Sequence, residues 1–372
     1  MKRILLIAGE SSGDIHAAML MREMKKLCLG LEFFGIGGDE CASQGMKIVE
    51  HIDSMAMMGF VEVIRHIPRI KRLMKRLVRE VESRKVDMVI LVDYPGFNLR
   101  LAEAVKKLPD PPKIFYYISP QVWAWGAKRI PKIAELVDRM AGIIPFEKET
   151  YAGTKLDFHF VGHPLMDEIV AYESRDLFFP RHNLDLNKPL IALLPGSRNQ
   201  EVVRILPTLL KASILIRRQI DAQFAIGTSA NVDTALYHNL KDAAIIKNDT
   251  RNLQKNADLV ITKSGTSTLE TAIAGTPMMV VYKIHPLSYQ IGKRVVKLDN
   301  IALANLVAGE TIAPEFIQDD ASPENISAEA IKILTSPDIQ SVQREKLAMV
   351  RDKLGESGAS RRAAELALEL IV

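Results

Sequence analysis

Leu190-Ile191-Ala192-Leu193-Leu194 runs straight into Pro195-Gly196-Ser197-Arg198, and Asp258–Thr262 leads in the same way to Ser264-Gly265-Thr266-Ser267-Thr268-Leu269-Glu270. In each case an unbroken apolar run, the pattern of a buried strand, meets a turn of small residues and then a helical pattern. Such a turn leaves backbone N–H groups pointing outward, and the helix dipole adds attraction for an anion. Glu270 lies about 1.7 turns beyond Ser264, where a carboxylate can accept hydrogen bonds from a ribose. Together the two turns read as a nucleotide-diphosphate site without a Walker loop.

Outward from these turns, strand and helix patterns alternate along almost the whole chain. Before them come Ile4–Ala8, Leu31–Ile36, Val86–Val92, Lys113–Ile118, Met140–Ile144 and Phe158–Val161. After a polar stretch, Glu173–Lys188, which suits a linker, follow Leu190–Leu194, Gln223–Ile226, Ala244–Lys247, Leu259–Thr262 and Met278–Tyr282. Continuous apolar strands flanked by helices predict parallel sheets covered on both faces. The expected fold is therefore α/β, with two doubly wound Rossmann-like domains facing across a cleft. Residues 1–168 form the first domain and 186–340 the second. Residues 341–372 form a helical segment. Ligands in such folds bind at the carboxyl ends of the strands.

A length of 372 residues suits about two domains. The chain is 48% hydrophobic and 25% charged, which is globular rather than disordered. A net charge of +4 does not by itself point to nucleic acid. Cys28 and Cys41 are the only cysteines and share no metal-ligand or disulfide spacing. Ile4–Ala8 is too short for a signal peptide and no run reaches transmembrane length. The expected location is the cytoplasm. No metal and no cofactor are expected.

The loop Gly9-Glu10-Ser11-Ser12-Gly13-Asp14 is neither G-x-x-x-x-G-K-[ST] nor G-x-G-x-x-G, so it predicts neither ATP hydrolysis nor dinucleotide binding. Asp14 reads either as a cap for a helix starting at Ile15 or as part of a site. Glu10, at the end of a strand, is expected to face the cleft, and His16 to be a surface or packing residue. Asp93 ends the most apolar strand and precedes Tyr94-Pro95-Gly96-Phe97-Asn98. It is either a turn former or a general base whose pKa partial desolvation raises; Asn98 would cap the next helix. Trp123 and Trp125 fit a sugar-binding wall or core packing equally well. Arg198 fits bidentate phosphate binding or a salt bridge to Glu201.

Met55–Val81 is amphipathic: Phe60, Ile64, Ile67, Ile70, Met74, Leu77 and Val81 recur at helical spacing. Arg65, Arg69, Lys71, Arg72, Lys75, Arg76 and Arg79 fill much of the rest, and Pro68 predicts a split into two helices. The alternatives are a core-packing helix with a solvated basic face and a helix lying on an anionic membrane. Met55, Met57 and Met58 favour the membrane reading.

In this order the motifs resemble the lipid-A-disaccharide synthase family, glycosyltransferases of the GT-B fold. The matching pieces are Gly9–Asp14, Val92–Asn98, Ser119–Trp125, Leu193–Arg198, Ser264–Glu270 and Asn305-Leu306-Val307-Ala308-Gly309. The resemblance runs from Ile4 to the C-terminal helix, and it implies that the helical segment 341–372 crosses back to the first domain. It implies inverting transfer from UDP-2,3-diacylglucosamine to the 6-hydroxyl of 2,3-diacylglucosamine 1-phosphate, giving a β-1,6-linked disaccharide 1-phosphate and UDP. For that reaction Asp93, at its strand end, is the expected base. Ser197, Arg198, Ser264, Gly265, Thr266, Thr268 and Glu270 fall at the UDP-sugar, with Asn305 added from the resemblance alone. Glu10, Ser12 and Asp14 fall near the acceptor. Phe60, Arg65, Arg69, Arg72, Lys75 and Arg76 would meet the anionic inner-membrane surface, making the protein peripheral, and a homodimer is compatible with the pattern. One departure is Gly96, where some members carry a second acid, which weakens any mechanism that needs two carboxylates there. The rivals are a UDP-N-acetylglucosamine 2-epimerase, another N-acetylglucosaminyltransferase of this fold, and a non-catalytic nucleotide-sugar-binding membrane adaptor.

Overall fold

β1 (Lys2–Ala8) and β4 (Met88–Val92) lie side by side at the centre of a seven-stranded sheet in a computed structural model of the chain. The structure describes residues 1–55, 60–168, 171–238, 240, 242–295 and 298–371, with side chains except at 60–67, 125, 287, 288, 291, 294 and 295. Around the central pair come β2 (Leu31–Gly37), β3 (Lys47–His51), β5 (Lys113–Tyr117), β6 (Arg139–Gly142) and β7 (Asp157–Phe160). The order is β3-β2-β1-β4-β5-β6-β7, and every pairing is parallel. This sheet belongs to a unit made of Met1–Glu168 and Leu354–Val372.

The second unit, Ile169–Lys353, holds β8 (Leu190–Leu194), β9 (Gln223–Thr228), β10 (Ala244–Lys247), β11 (Leu259–Lys263), β12 (Met278–Tyr282) and β13 (Glu315–Ile317). Its parallel order is β10-β9-β8-β11-β12-β13. In each sheet a central strand, β4 or β8, is apolar from end to end because helices cover both faces. β3 and β13 break no apolar run and are absent from the sequence reading. They are short edge strands with mixed side chains, which is how exposed sheet edges are usually built.

Three expectations change. Glu173–Lys188 is not a bare linker: Arg175–Arg181 is a helix, with Phe178 and Phe179 buried and Arg175 paired to Asp258 at 3.1 Å. The helix Pro337–Lys353 stays with the second unit, where Gln343 bonds the backbone of Met278 and Ile312, so the crossing begins at Leu354 rather than at 341. Pro68 does not split its segment. One helix runs Phe60–Ser83, because a proline deletes one backbone bond while Leu73, Leu77 and Val81 anchor the following turns in the core.

Within the first unit the C-terminal helix Ala359–Leu368 packs on the helix Ser11–Leu27. Asp167 accepts hydrogen bonds from the N–H groups of Gly358, Ala359 and Ser360, and so caps it. Arg362 donates to the carbonyls of Val161, Ser357 and Glu356. Among the described residues no helix is long and apolar enough to cross a membrane.

Candidate functional site

Strand order reverses between β1 and β4 in one sheet and between β8 and β11 in the other, and at such switch points open parallel sheets leave a crevice for ligands. Register decides which residues stand there. Ala8 pairs with Val92, so Gly9-Glu10 and Asp93 leave neighbouring strands together. Leu194 pairs with Thr262, so Pro195 and Lys263 do the same. Both sets of candidate residues therefore emerge at a switch point of their own sheet.

At the first, Asp93 and Tyr94 both take left-handed backbone, with φ of 43° and 46°. For residues with a Cβ each such conformation costs of order 1–3 kcal/mol and persists only where neighbours enforce it. Here they do. The Asp93 carbonyl accepts from the Tyr116 hydroxyl at 2.6 Å and Asn98 Nδ2 at 2.7 Å, and Asp93 N donates to Tyr117 O at 3.1 Å. Asn98 is therefore no helix cap but a buried clamp four residues into the helix Pro95–Val105. The Tyr94 ring lies where a side chain at position 9 would stand, which requires Gly9. With the backbone held in this way, burial and then the nearby Glu10 carboxylate push Asp93 up to about 6.

The helix after β1 begins at Ser11, not Ile15; Glu10 precedes it, and Glu10 and Ser12 are exposed. Asp14 is a correction. It is buried within its own helix, and its carboxylate accepts from the N–H groups of Gly38 at 2.7 Å, Glu40 at 3.0 Å and Cys41 at 3.2 Å. It caps the helix Asp39–Ser43 across the fold, which leaves no face for an acceptor sugar. His16 is a packing residue, its pKa lowered by burial. Trp123 sets its ring edge-on to Phe146, centroids 4.9 Å apart, and the Trp125 side chain lies outside the described residues.

Sequence reading missed Glu147. It follows β6 and is only 1% exposed, with Oε2 accepting from the N–H groups of Ile143 and Ile144 at 3.2 and 3.1 Å. Burial, with a smaller contribution from the Asp93 carboxylate, pushes it up to about 8. Its sole sequence signal was an acid just past an apolar run.

At the second switch point Gly196 and Gly265 have φ of 137° and 151°, backbone that a residue with a Cβ rarely adopts. Ser197 N donates to Glu201 Oε2 at 3.0 Å, and Glu201 Oε1 lies 3.0 Å from Lys263 Nζ. Glu201 thus pairs with Lys263; Arg198, for which a Glu201 salt bridge is the alternative to phosphate binding, is exposed just before the helix Asn199–Arg217. Thr266 opens the helix Thr266–Ala274, whose first N–H groups have no partner within the helix. Glu270 is half-buried, and the pKa of Tyr172 is raised chiefly by burial with a smaller contribution from Glu270.

Three side chains expected at the donor are instead internal. Ser264 is buried, its hydroxyl donating to Ile301 O at 2.9 Å and its N–H to Val281 O. Thr268 is fully buried, bonded to Gly265 O and Ala304 N. Asn305 is also fully buried: its Oδ1 accepts from Ile312 and Ala313, and its Nδ2 donates to Ala313 O and Glu315. These side chains shape the turn, and Thr268 and Asn305 have no surface to offer a ligand.

On the helix Phe60–Ser83, Leu73, Leu77 and Val81 face the core, and Arg72, Lys75, Arg76 and Arg79, with Glu80, Ser83 and the following Arg84, line an open groove. Arg69 is paired with Glu50. Met55 is a correction: at 4% exposure it packs in the core rather than against lipid. Met57, Met58 and the side chains of Phe60, Ile64, Arg65 and Ile67 lie outside the described residues.

A family model described as lipid-A-disaccharide synthetase matches residues 4–370. A lipid-A-disaccharide synthase of Syntrophus aciditrophicus is 44% identical, covering 100% of this chain and 98% of that protein. One from Geobacter sulfurreducens is 40% identical over 99% and 97%. Among solved structures, a UDP-GlcNAc 2-epimerase from Neisseria meningitidis bound to UDP-GlcNAc superposes with a TM-score of 0.66 at 14% identity, covering 99% of this chain and all of that one. The glycotransferase of kitacinnamycin gives 0.64 at 14%, over 100% and 99%. At such identity these two show the fold alone, that of GT-B glycosyltransferases and epimerases.

Proposed function

The chain belongs to the lipid-A-disaccharide synthetase family and is a glycosyltransferase of lipid A biosynthesis; within that activity we propose that it joins UDP-2,3-diacylglucosamine to 2,3-diacylglucosamine 1-phosphate. The family membership removes the epimerase and adaptor readings. The observation that carries the mechanism is Asp93, a carboxylate on a strained and clamped turn at the switch point of its sheet, with a pKa near 6.

In the proposed reaction ionised Asp93 takes the proton of the acceptor 6-hydroxyl. The oxygen attacks the anomeric carbon from the face opposite UDP, the bond to UDP breaks, and the configuration inverts. A general base with a pKa just below neutral is ionised at working pH yet still basic enough to draw the proton. Negative charge grows on the departing diphosphate. Arg198 and the N–H groups that open the helix Thr266–Ala274 would meet it, and Glu270 would hold the ribose. Glu10, whose carboxylate is near Asp93, and Ser12 are both exposed and are assigned to the acceptor.

The direct test is to incubate the protein with both lipid substrates and search for disaccharide 1-phosphate and UDP by mass spectrometry. UDP-N-acetylglucosamine turned over in place of the lipid-bearing donor would overturn the substrate assignment.

Two lipid substrates bring the enzyme to a bilayer. We assign the docking face to Arg72, Lys75 and Arg76, which share the open groove on the helix Phe60–Ser83. Near an anionic surface each basic residue contributes about 1 kcal/mol. Replacing all three by Glu is expected to abolish co-sedimentation with phosphatidylglycerol vesicles and to leave wild-type affinity for UDP. Equal sedimentation of the two proteins would place the docking surface elsewhere.

A further inference from the structure

Each turn of the second unit is covered by a charged side chain from its own flanking element. A Cβ at Gly196 would stand 2.5 Å from Glu201 Oε2, and a Cβ at Gly265 would stand 3.3 Å from Lys263 Nζ. Glu201 therefore reaches back over the Pro195–Arg198 turn, where it takes the Ser197 N–H, and Lys263 leans over the start of the helix Thr266–Ala274. Their ion pair, 3.0 Å long, ties the two turns together. Both groups keep solvent contact, the side chains being 21% and 17% exposed for Lys263 and Glu201. The pair is thus not a sealed interior bridge. It lies on the surface where strand order reverses, and its anion sits on a backbone donor of the kind that binds phosphate.

We propose that Lys263 is a ligand of the donor diphosphate, and that Glu201 is an internal anion which holds Lys263 and Ser197 N–H until the diphosphate displaces it. The inference rests on the donor assignment above and adds to it a cation, an occupant and an exchange. The exchange conserves charge contacts. A diphosphate oxygen takes the Ser197 N–H and the Lys263 ammonium, and Glu201 turns toward solvent. No bond is made or broken. Lys263 also explains how the diphosphate can be met although the Ser264 side chain and N–H are already engaged.

The test is calorimetric titration of the full-length protein with UDP, inorganic pyrophosphate and uridine. A charge-assisted hydrogen bond lost from the diphosphate corresponds to about ten- to a hundredfold in affinity. Lys263→Met is expected to weaken UDP and pyrophosphate by that factor and to leave uridine unchanged. Glu201→Gln, which removes the competing charge and keeps the shape, is expected to tighten UDP and pyrophosphate several-fold. The double variant has no pair to break; it should bind UDP more weakly than Glu201→Gln alone. Unchanged UDP affinity in Lys263→Met would overturn the proposal. So would Glu201→Gln binding UDP as weakly as Lys263→Met, since the pair would then be a brace for the turns. If uridine affinity fell as well, the lysine would be supporting the fold rather than the phosphate. Failure of wild type to bind UDP at all would instead strike the donor assignment itself.

Discussion

Asp93→Asn is expected to lower turnover by about 10²–10⁴-fold, the usual contribution of a general base, with UDP affinity unchanged. Asparagine has the same shape, so the clamp that Tyr116 and Asn98 place on the residue 93 carbonyl survives. Only the proton acceptor is lost. The pH profile supplies a second readout. With Asp93 near 6, wild-type turnover should rise with pH through that value and level off above it, because the ionised form is the active one. Glu10→Gln removes the neighbouring carboxylate that helps to raise Asp93, so the acidic limb should move to lower pH. Stability runs the other way. The folded pKa lies above the unfolded value near 3.9, so the contribution of Asp93 is fully present below about pH 4 and is lost as pH rises through about 6. At pH 7.5 Asp93→Asn should therefore melt no lower than wild type. A variant that retained turnover, with an unmoved acidic limb, would remove Asp93 from the base role.

That strain and that electrostatic cost sit where the sequence is most readable. Strands such as Met88–Val92 and Leu190–Leu194 are legible because a central parallel strand has helices on both faces and must be apolar throughout. The turns after them are legible because a strand-to-helix reversal needs small residues. What the sequence could not show is which polar side chains face inward. Thr268 and Asn305 lie within turn-like motifs, yet each spends its hydrogen bonds on backbone that only tertiary folding brings near. Asp14 looked like a local cap and caps a helix that starts at Asp39. Glu201 and Lys263 are far apart in the chain, and their pairing exists only because β8 and β11 are adjacent. Local pattern gave the strands; partner choice is long-range and left no mark on spacing.

The same long-range logic gives the second large effect. Ending the chain after Lys353 is expected to unfold the first unit while the second still binds UDP. Leu354, Ala359, Ala363, Ala364, Ala367 and Leu368 are all buried, though they come last in the sequence. The alanines let the final helix pack closely on the helix Ser11–Leu27. Burying a leucine contributes about 1.5–3 kcal/mol, and the cap that Asp167 provides about 0.5–2 kcal/mol. Arg139 would also lose its bonds to Leu366 O and Glu369. Together these losses rival the whole stability of a typical domain, about 5–15 kcal/mol. Hydrogen exchange should show protection lost across β1, β4 and β5 and kept across β8, β11 and β12, with UDP titration unchanged and turnover absent. Asp167→Ala isolates one part: it should lower the melting temperature of the first unit only, by the loss of one cap. If the truncated chain kept its protection in β1 and β4, the last helix would be a passenger on a unit that folds without it.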